Sequence, residues 1–325
     1  MNKLKKFGIV FIASVSFIGA TVSVLPSLTL AASGDIDTTV TDEKWGKPTF
    51  VYGGGLSDSQ VLETEKLLEI DKPDNVASVA VTGADLVKYL KEGSGDTANM
   101  ISSVLVKKEN SGKGVKVTIK TPDNITQITQ DQYANAAITA GVNDVTIVVG
   151  SVKKVTGESA LTGIYKAFDV NGEDLDQDRM EVAQNELETT NGIAQENADK
   201  TDFDPAKFDQ AIIEIKQDLA DLKEKQSELA TKEEIERIIN DALKNNQLEN
   251  AVTQDQINQL MALFEKYQKT SAIDSAQVKE QLKKLSDSVQ SQFGEALQEA
   301  KDSGMLDKVG NFFSQIWQAI VGLFN

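Results

Sequence analysis

The chain of 325 residues carries 33 basic and 50 acidic residues, a formal net charge of −17, with 40% apolar residues and neither cysteine nor histidine. That composition excludes disulfides, thiolate nucleophiles, zinc sites built on Cys or His, serine–histidine triads and imidazole bases. It also opposes nucleic-acid binding, which draws its affinity from basic residues on phosphates, and only Arg179 and Arg237 are arginine.

Lys3, Lys5 and Lys6 precede an apolar run from Phe7 to about Leu25, followed by Pro26 and the small-residue exit Leu30-Ala31-Ala32-Ser33. This positive, apolar, small order predicts a secretory signal peptide over residues 1–32, cleaved after Ala31 or Ala32. Loss of the leader removes three lysines and no acid, leaving a mature net charge of −20. The expected address is extracellular or cell-envelope, and the lack of cysteine suggests a Gram-positive source.

From Thr49 the chain alternates β-rich and helical runs. Thr49–Tyr52 reads as a strand and Gly53–Gly55 as a tight loop. Ser57 with Gln60 has capping-box spacing and opens a helix. Val76–Val81 is a second strand, leading into a helix at Ala84–Lys91. Met100–Lys107 and Gly114–Lys120 read as strands joined as a hairpin through Glu109–Lys113. A small-residue helix over Asp131–Ala140, a long strand over Asp144–Val155 and a helix over Glu158–Phe168 follow. Val81-Thr82-Gly83 and Val155-Thr156-Gly157 echo each other, either as an old duplication or as two independent strand–helix turns.

After Asp169 the composition turns helical: 17 of the 22 glycines lie at or before Gly172. Asp204-Pro205 marks a helix start. Phe208, Ile212, Ile215, Leu219, Leu222, Gln226 and Leu229 keep heptad spacing. Thr231 with Glu234 and Thr253 with Gln256 open further helices, and a fourth runs from Val278 to about Lys301. The expected fold is α+β: a mixed α/β domain (45–169), an acidic linker and helix (170–203), then an antiparallel helical bundle or coiled-coil domain (204–303).

Residues 304–325 read as an amphipathic C-terminal helix. Phe312, Phe313, Ile316, Ile320, Leu323 and Phe324 share a face with Trp317 beside them, a stripe suited to membrane or assembly contact. The last sixteen residues, from Gly310, rise only about 24 Å, short of a bilayer core of roughly 30 Å. Two occupants stay open: core or self-association, and a membrane surface along which the helix lies.

Candidates for chemistry are sparse, and no cofactor is expected. Asp169, Asn171, Glu173 and Asp174 alternate oxygen ligands as calcium requires, although the segment lacks the EF-hand glycine at its sixth position. Gly53–Gly55 before a helix suggests an anion cradle, with a turn needing positive φ as the plainer reading. Ser151 and Lys154 have the SxxK spacing, but within a strand they point to opposite faces. Carboxylate chemistry on a wall glycan or peptide would fall to Glu158 and Asp144, near strand ends.

The segments Val51–Ser57, Val81–Leu86, Thr121–Thr126, Gln132–Gly141 and Thr156–Ala167 together resemble the YpuA-like family of exported Firmicutes proteins, a domain of unknown function. The resemblance covers about residues 45 to 300. It implies a signal peptide and an envelope address, and it brings no catalytic residues with it. The function expected is that of an exported, non-enzymatic envelope protein binding a cell-wall component or another envelope protein. A carboxylate hydrolase and a weak calcium-responsive module are the alternatives.

Overall fold

A computed structural model describes Ile36, residues 45–91 and residues 93–302, with side chains described as far as Ser291. Five strands form one mixed sheet in the order β2-β1-β3-β5-β4: β1 (Thr49–Gly53), β2 (Ala77–Val81), β3 (Ser103–Lys108), β4 (Val115–Ile119) and β5 (Val145–Gly150). β1 runs parallel to β2 and β4 parallel to β5, while β3 is antiparallel to both of its neighbours. Four strands therefore point one way, with β3 opposed at the centre.

The expected hairpin does not form. β3 and β4 are joined through 109–114, but β5 lies between them. β5 is apolar on both faces, with Val145, Ile147, Val148 and Val149 buried, so an interior position hides more of it than an edge would. It also ends at Gly150, earlier than Val155, and Val155 forms only an isolated bridge to Ile125.

Among the described residues nine α-helices accompany the sheet. The first four are α1 (Asp58–Leu67), α2 (Gly83–Leu90), α3 (Gln130–Ala140) and α4 (Ser159–Val170). The other five are α5 (Gln177–Asn197), α6 (Pro205–Gln226), α7 (Lys232–Asn245), α8 (Gln254–Tyr267) and α9 (Ala276–Asp302). The local start signals act as read. Thr231 Oγ1 accepts from Glu234 N–H while the Glu234 carboxylate accepts from Thr231 N–H at 2.8 Å. Thr253 and Gln256 repeat this pattern, and Asp204 caps α6 with Pro205 in its first turn.

Strand alternation gives the sheet two unequal faces. Val51, Val81, Val104, Val106, Ile147 and Val149 face α3 and α4, and that core continues through α5 to α9. The opposite face holds a smaller cluster of Phe50, Leu105 and Val148 under Leu68, Ile70, Val76 and Ile36, with Val61 of α1 beside it. The crossovers through α1 and α3 step the same way across the sheet on opposite faces. They have opposite hands, so the sequence echo does not mark two copies of one unit.

The C-terminal helices share the core of the sheet layer, and all described residues fall in one unit. In α6, Phe208, Ile212, Ile215 and Leu219 are buried, packed toward α3, α7 and α9. The heptad seam then runs out: Leu222 is half-buried, Gln226 is exposed and Leu229 is 40% exposed. The helix expected within residues 170–203 is α5, which packs on α3, α8 and α2.

Glycines with opposite surroundings give a paired test. A methyl on Gly83 would lie 2.1 Å from the carbonyl oxygen of Gly95, whereas one on Gly192 in α5 meets nothing within 4 Å. Gly83→Ala is expected to destabilise by about 2–4 kcal/mol through overpacking, and Gly192→Ala to stabilise by roughly 0.5–1 kcal/mol through helix propensity. Urea titrations of the two variants check both signs.

Candidate functional site

Most of the residues singled out for chemistry are engaged by the fold. Asp169 Oδ2 lies 2.7 Å from Lys88 Nζ and accepts from Tyr89 Oη at 2.8 Å. The Lys88 contact, reinforced by Tyr89, holds its carboxyl below the usual range against partial burial. Asn171 Nδ2 donates to Thr49 Oγ1 and to Ala167 O. Glu173 accepts from Trp45 Nε1 at 2.7 Å and pairs with Lys108 Nζ at 2.9 Å, while Asp174 is exposed. No group of three acidic side chains able to hold a metal ion occurs among the described residues. The linker is thus a clasp between β1, β3, α2 and α4.

Gly53, Gly54 and Gly55 have no positive φ, and their cradle is already filled by protein. A methyl on each would fall 2.3 Å from Met100 O, 2.8 Å from Val81 O and 2.6 Å from Ala98 O respectively. Close approach of the 97–101 backbone to Gly53 and Gly55, and of Val81 O to Gly54, explains these glycines, rather than a left-handed turn or an anion. Ser151 is buried in a turn and donates to Lys153 O at 2.7 Å, with Lys154 exposed. It is not poised toward a lysine.

Asp144 immediately precedes β5, whereas Glu158 lies eight residues beyond its end at the start of α4. Asp144 sits at φ +46, accepting from Gly114 N–H at 2.9 Å and Gln281 Nε2 at 3.3 Å. It pins the 109–114 loop to α9. Glu158 is half-buried at the start of α4, and burial together with the charge of Glu188 raises its carboxyl pKa.

Sequence reading missed a buried ionic centre where α3, α5, α6 and α8 meet. Lys216 Nζ lies 2.8 Å from Glu186 Oε1, 3.1 Å from Asn135 O and 3.1 Å from Thr139 Oγ1. Thr139 donates to Glu186 Oε2 at 2.6 Å, and the Tyr267 ring centroid lies 5.9 Å from the ammonium. Three donors meet three acceptors, so the ammonium is satisfied. Arg179 completes the junction by donating to Thr139 O and Ile138 O at the end of α3. Lys216 and Glu186 are 0% and 3% exposed, so this centre holds helices together and meets no ligand.

The surface feature that stands out is the half of the second sheet face that the described residues leave uncovered. Between Met100 and Lys120 the chain has five lysines and one acid, Glu109, in a protein of net −17. Lys108 turns into the core beside Phe168. Lys107, Thr146 and Lys116 form one cross-strand row over β3, β5 and β4. A shallow depression of about 180 Å³ opens there, lined by Glu109, Lys113, Gly114, Lys116 and Thr146. Glu109 accepts from Thr146 Oγ1 at 2.9 Å and lies 3.6 Å from Lys107 Nζ. The ammonium groups of Lys113 and Lys116 have no partner among the described residues, and both side chains are exposed. The local excess of lysine over acid, in a chain of opposite net charge, is the signal that marks this strip in the sequence.

Phe312, Phe313, Ile316, Trp317, Ile320, Leu323 and Phe324 lie outside the described residues, as does the leader segment 1–32. Among the described residues no helix is long and apolar enough to cross a membrane.

The family described as "Protein of unknown function (DUF1002)" matches residues 52–285. "Uncharacterized protein YpuA" of Bacillus subtilis (strain 168) is 33% identical over 305 residues, spanning 92% of either chain. No solved structure matches the chain. The match region takes in the sheet and most of its helical packing, and the chain belongs to this DUF1002, YpuA-like family.

Proposed function

We propose that the protein is an exported, non-enzymatic binding module of the cell envelope. Its sheet layer carries the binding face, and helices α6–α9 act as a bundle bracing that layer. The observation that carries the binding role is the exposed lysine strip on the sheet face that α1 leaves bare. The non-enzymatic reading draws support from the absence of cysteine and histidine, and from the structural engagement of Asp144 and Ser151. Export draws support from the charge and apolarity of residues 1–32. A carboxylate hydrolase keeps one observation in its favour, the raised carboxyl of Glu158 beside Glu188.

Cell fractionation tests the address. The full chain and a version ending at Val309 are expressed and followed through cytosol, membrane, wall and medium. Both are expected outside the cytosol, shortened by the leader. If the truncation alone moves protein from membrane to medium, the 312–324 stripe is an interfacial anchor. Retention of the full-size chain in the cytosol would sink the envelope role.

A further inference from the structure

We infer that the open sheet face binds a linear, phosphate-bearing polyanion, seated along the row Lys107–Thr146–Lys116 with Lys113 at its end. This rests on the binding role above and gives it a ligand class. Adjacent strands lie about 4.8 Å apart, which places the Cα atoms of Lys107 and Lys116 roughly 10 Å from each other across β5. An extended chain with repeating anionic groups can meet both ammonium groups at once.

Four features select this ligand. The depression is shallow and its lysines are solvated, so a single small anion gains little, whereas a polymer releases several counterions together. Every cation in the strip is lysine, a point charge suited to phosphate, and no arginine fork is present for planar carboxylates. The row bears no aromatic side chain, so nucleobases find nothing to stack on. The surrounding protein is strongly acidic, so a flat anionic bilayer is repelled where a narrow chain fits the strip. Glu109 tempers the site by neutralising Lys107.

The test uses the mature full-length chain and long-chain inorganic polyphosphate as probe, with binding followed by calorimetry at about 50 mM and about 200 mM salt. Binding is expected at the lower salt and should weaken steeply at the higher. Lys113→Gln with Lys116→Gln is expected to weaken it roughly tenfold and to flatten the salt slope by about one to two. Glu109→Gln, whose amide oxygen still accepts from Thr146, is expected to strengthen binding. A gain cannot come from unfolding, so this variant guards against a trivial loss. No binding at low salt, or binding indifferent to these substitutions, overturns the inference. So does binding to vesicles of equal parts phosphatidylglycerol and phosphatidylcholine without binding to polyphosphate. Failure here removes the ligand class and leaves the fractionation result, which tests the envelope role, standing separately.

Discussion

Lys216→Ala is expected to lower the unfolding free energy by about 3–5 kcal/mol, because it leaves the Glu186 carboxylate buried without its cation. For a chain of this size that corresponds to a fall in Tm on the order of 10 °C. The geometry makes the ammonium hard to replace. It is the hub for Glu186, the Asn135 carbonyl and the Thr139 hydroxyl, and burial already pushes its own pKa down against the pull of Glu186. Removing both charges is a different experiment. In Lys216→Met with Glu186→Leu, Thr139 can still donate to Asn135 O, 3.3 Å away, and no ion is stranded. The double variant should therefore be less destabilised than either single one, with a coupling of about 2 kcal/mol or more. Chemical denaturation followed by the fluorescence of Trp45, packed edge-on against Phe168 at 5.1 Å, reads the difference. Additive losses would show that the four helices do not meet through this pair.

This centre was invisible in the sequence for a physical reason. Lys216 follows Ile215 in a helix whose apolar seam was legible, and a lysine next to such a seam reads as solvated. Its partner Glu186 lies on α5, where Met180, Ala183, Leu187 and Ala194 are buried together with the polar Thr190, Asn191 and Asn197, so a charged residue beside Leu187 does not stand out as interior. Helix starts were legible because capping is local: Thr231 with Glu234 and Thr253 with Gln256 need only three residues of separation. Strand pairing is not local. The turn residues of 109–114 suggested a hairpin, and only the two-faced burial of β5 decides that it intervenes. The lysine strip depends on the same register, since Lys107 and Lys116 become neighbours only across Thr146.

The glycine loop shows a related limit. Gly53–Gly55 could be read as conformational freedom or as room for an anion. The space is taken by the backbone of Val81 and of 97–101, segments well removed in sequence, which no local rule places there. Asp144 stands by a strand end, where a carboxylate suits chemistry equally well, and in the fold that position is a clamp on 109–114 and α9.

Asp209→Asn is expected to stabilise the protein at about pH 8 by at least roughly 1 kcal/mol, since it removes a charge that the fold buries without a cation. Asp209 is 2% exposed and accepts from Thr129 Oγ1 at 2.7 Å. Burial, then the neighbouring Asp131, pushes its pKa well up, and burial raises Asp131 to about 6. Both carboxyls bind a proton more tightly folded than unfolded. Their contribution is therefore complete below the unfolded value of about 3.9 and is lost as pH rises through the folded values, past about 6 for Asp131. Asp85 and Asp144 act oppositely. Burial alone would raise them, but hydrogen bonds from Lys166 and Thr82 to the first, and from Gly114 and Gln281 to the second, hold both below the usual range. Their contribution is present above the unfolded pKa and is lost as pH falls through the folded one. On these four groups stability should thus peak near the unfolded carboxyl value of about 4 and decline as pH rises toward 8. Urea midpoints measured across this range should show the decline in the parent and a flatter profile in Asp209→Asn. The alkaline decline belongs to Asp209 and Asp131 only if the substitution removes most of it; an unchanged slope would assign it to other groups.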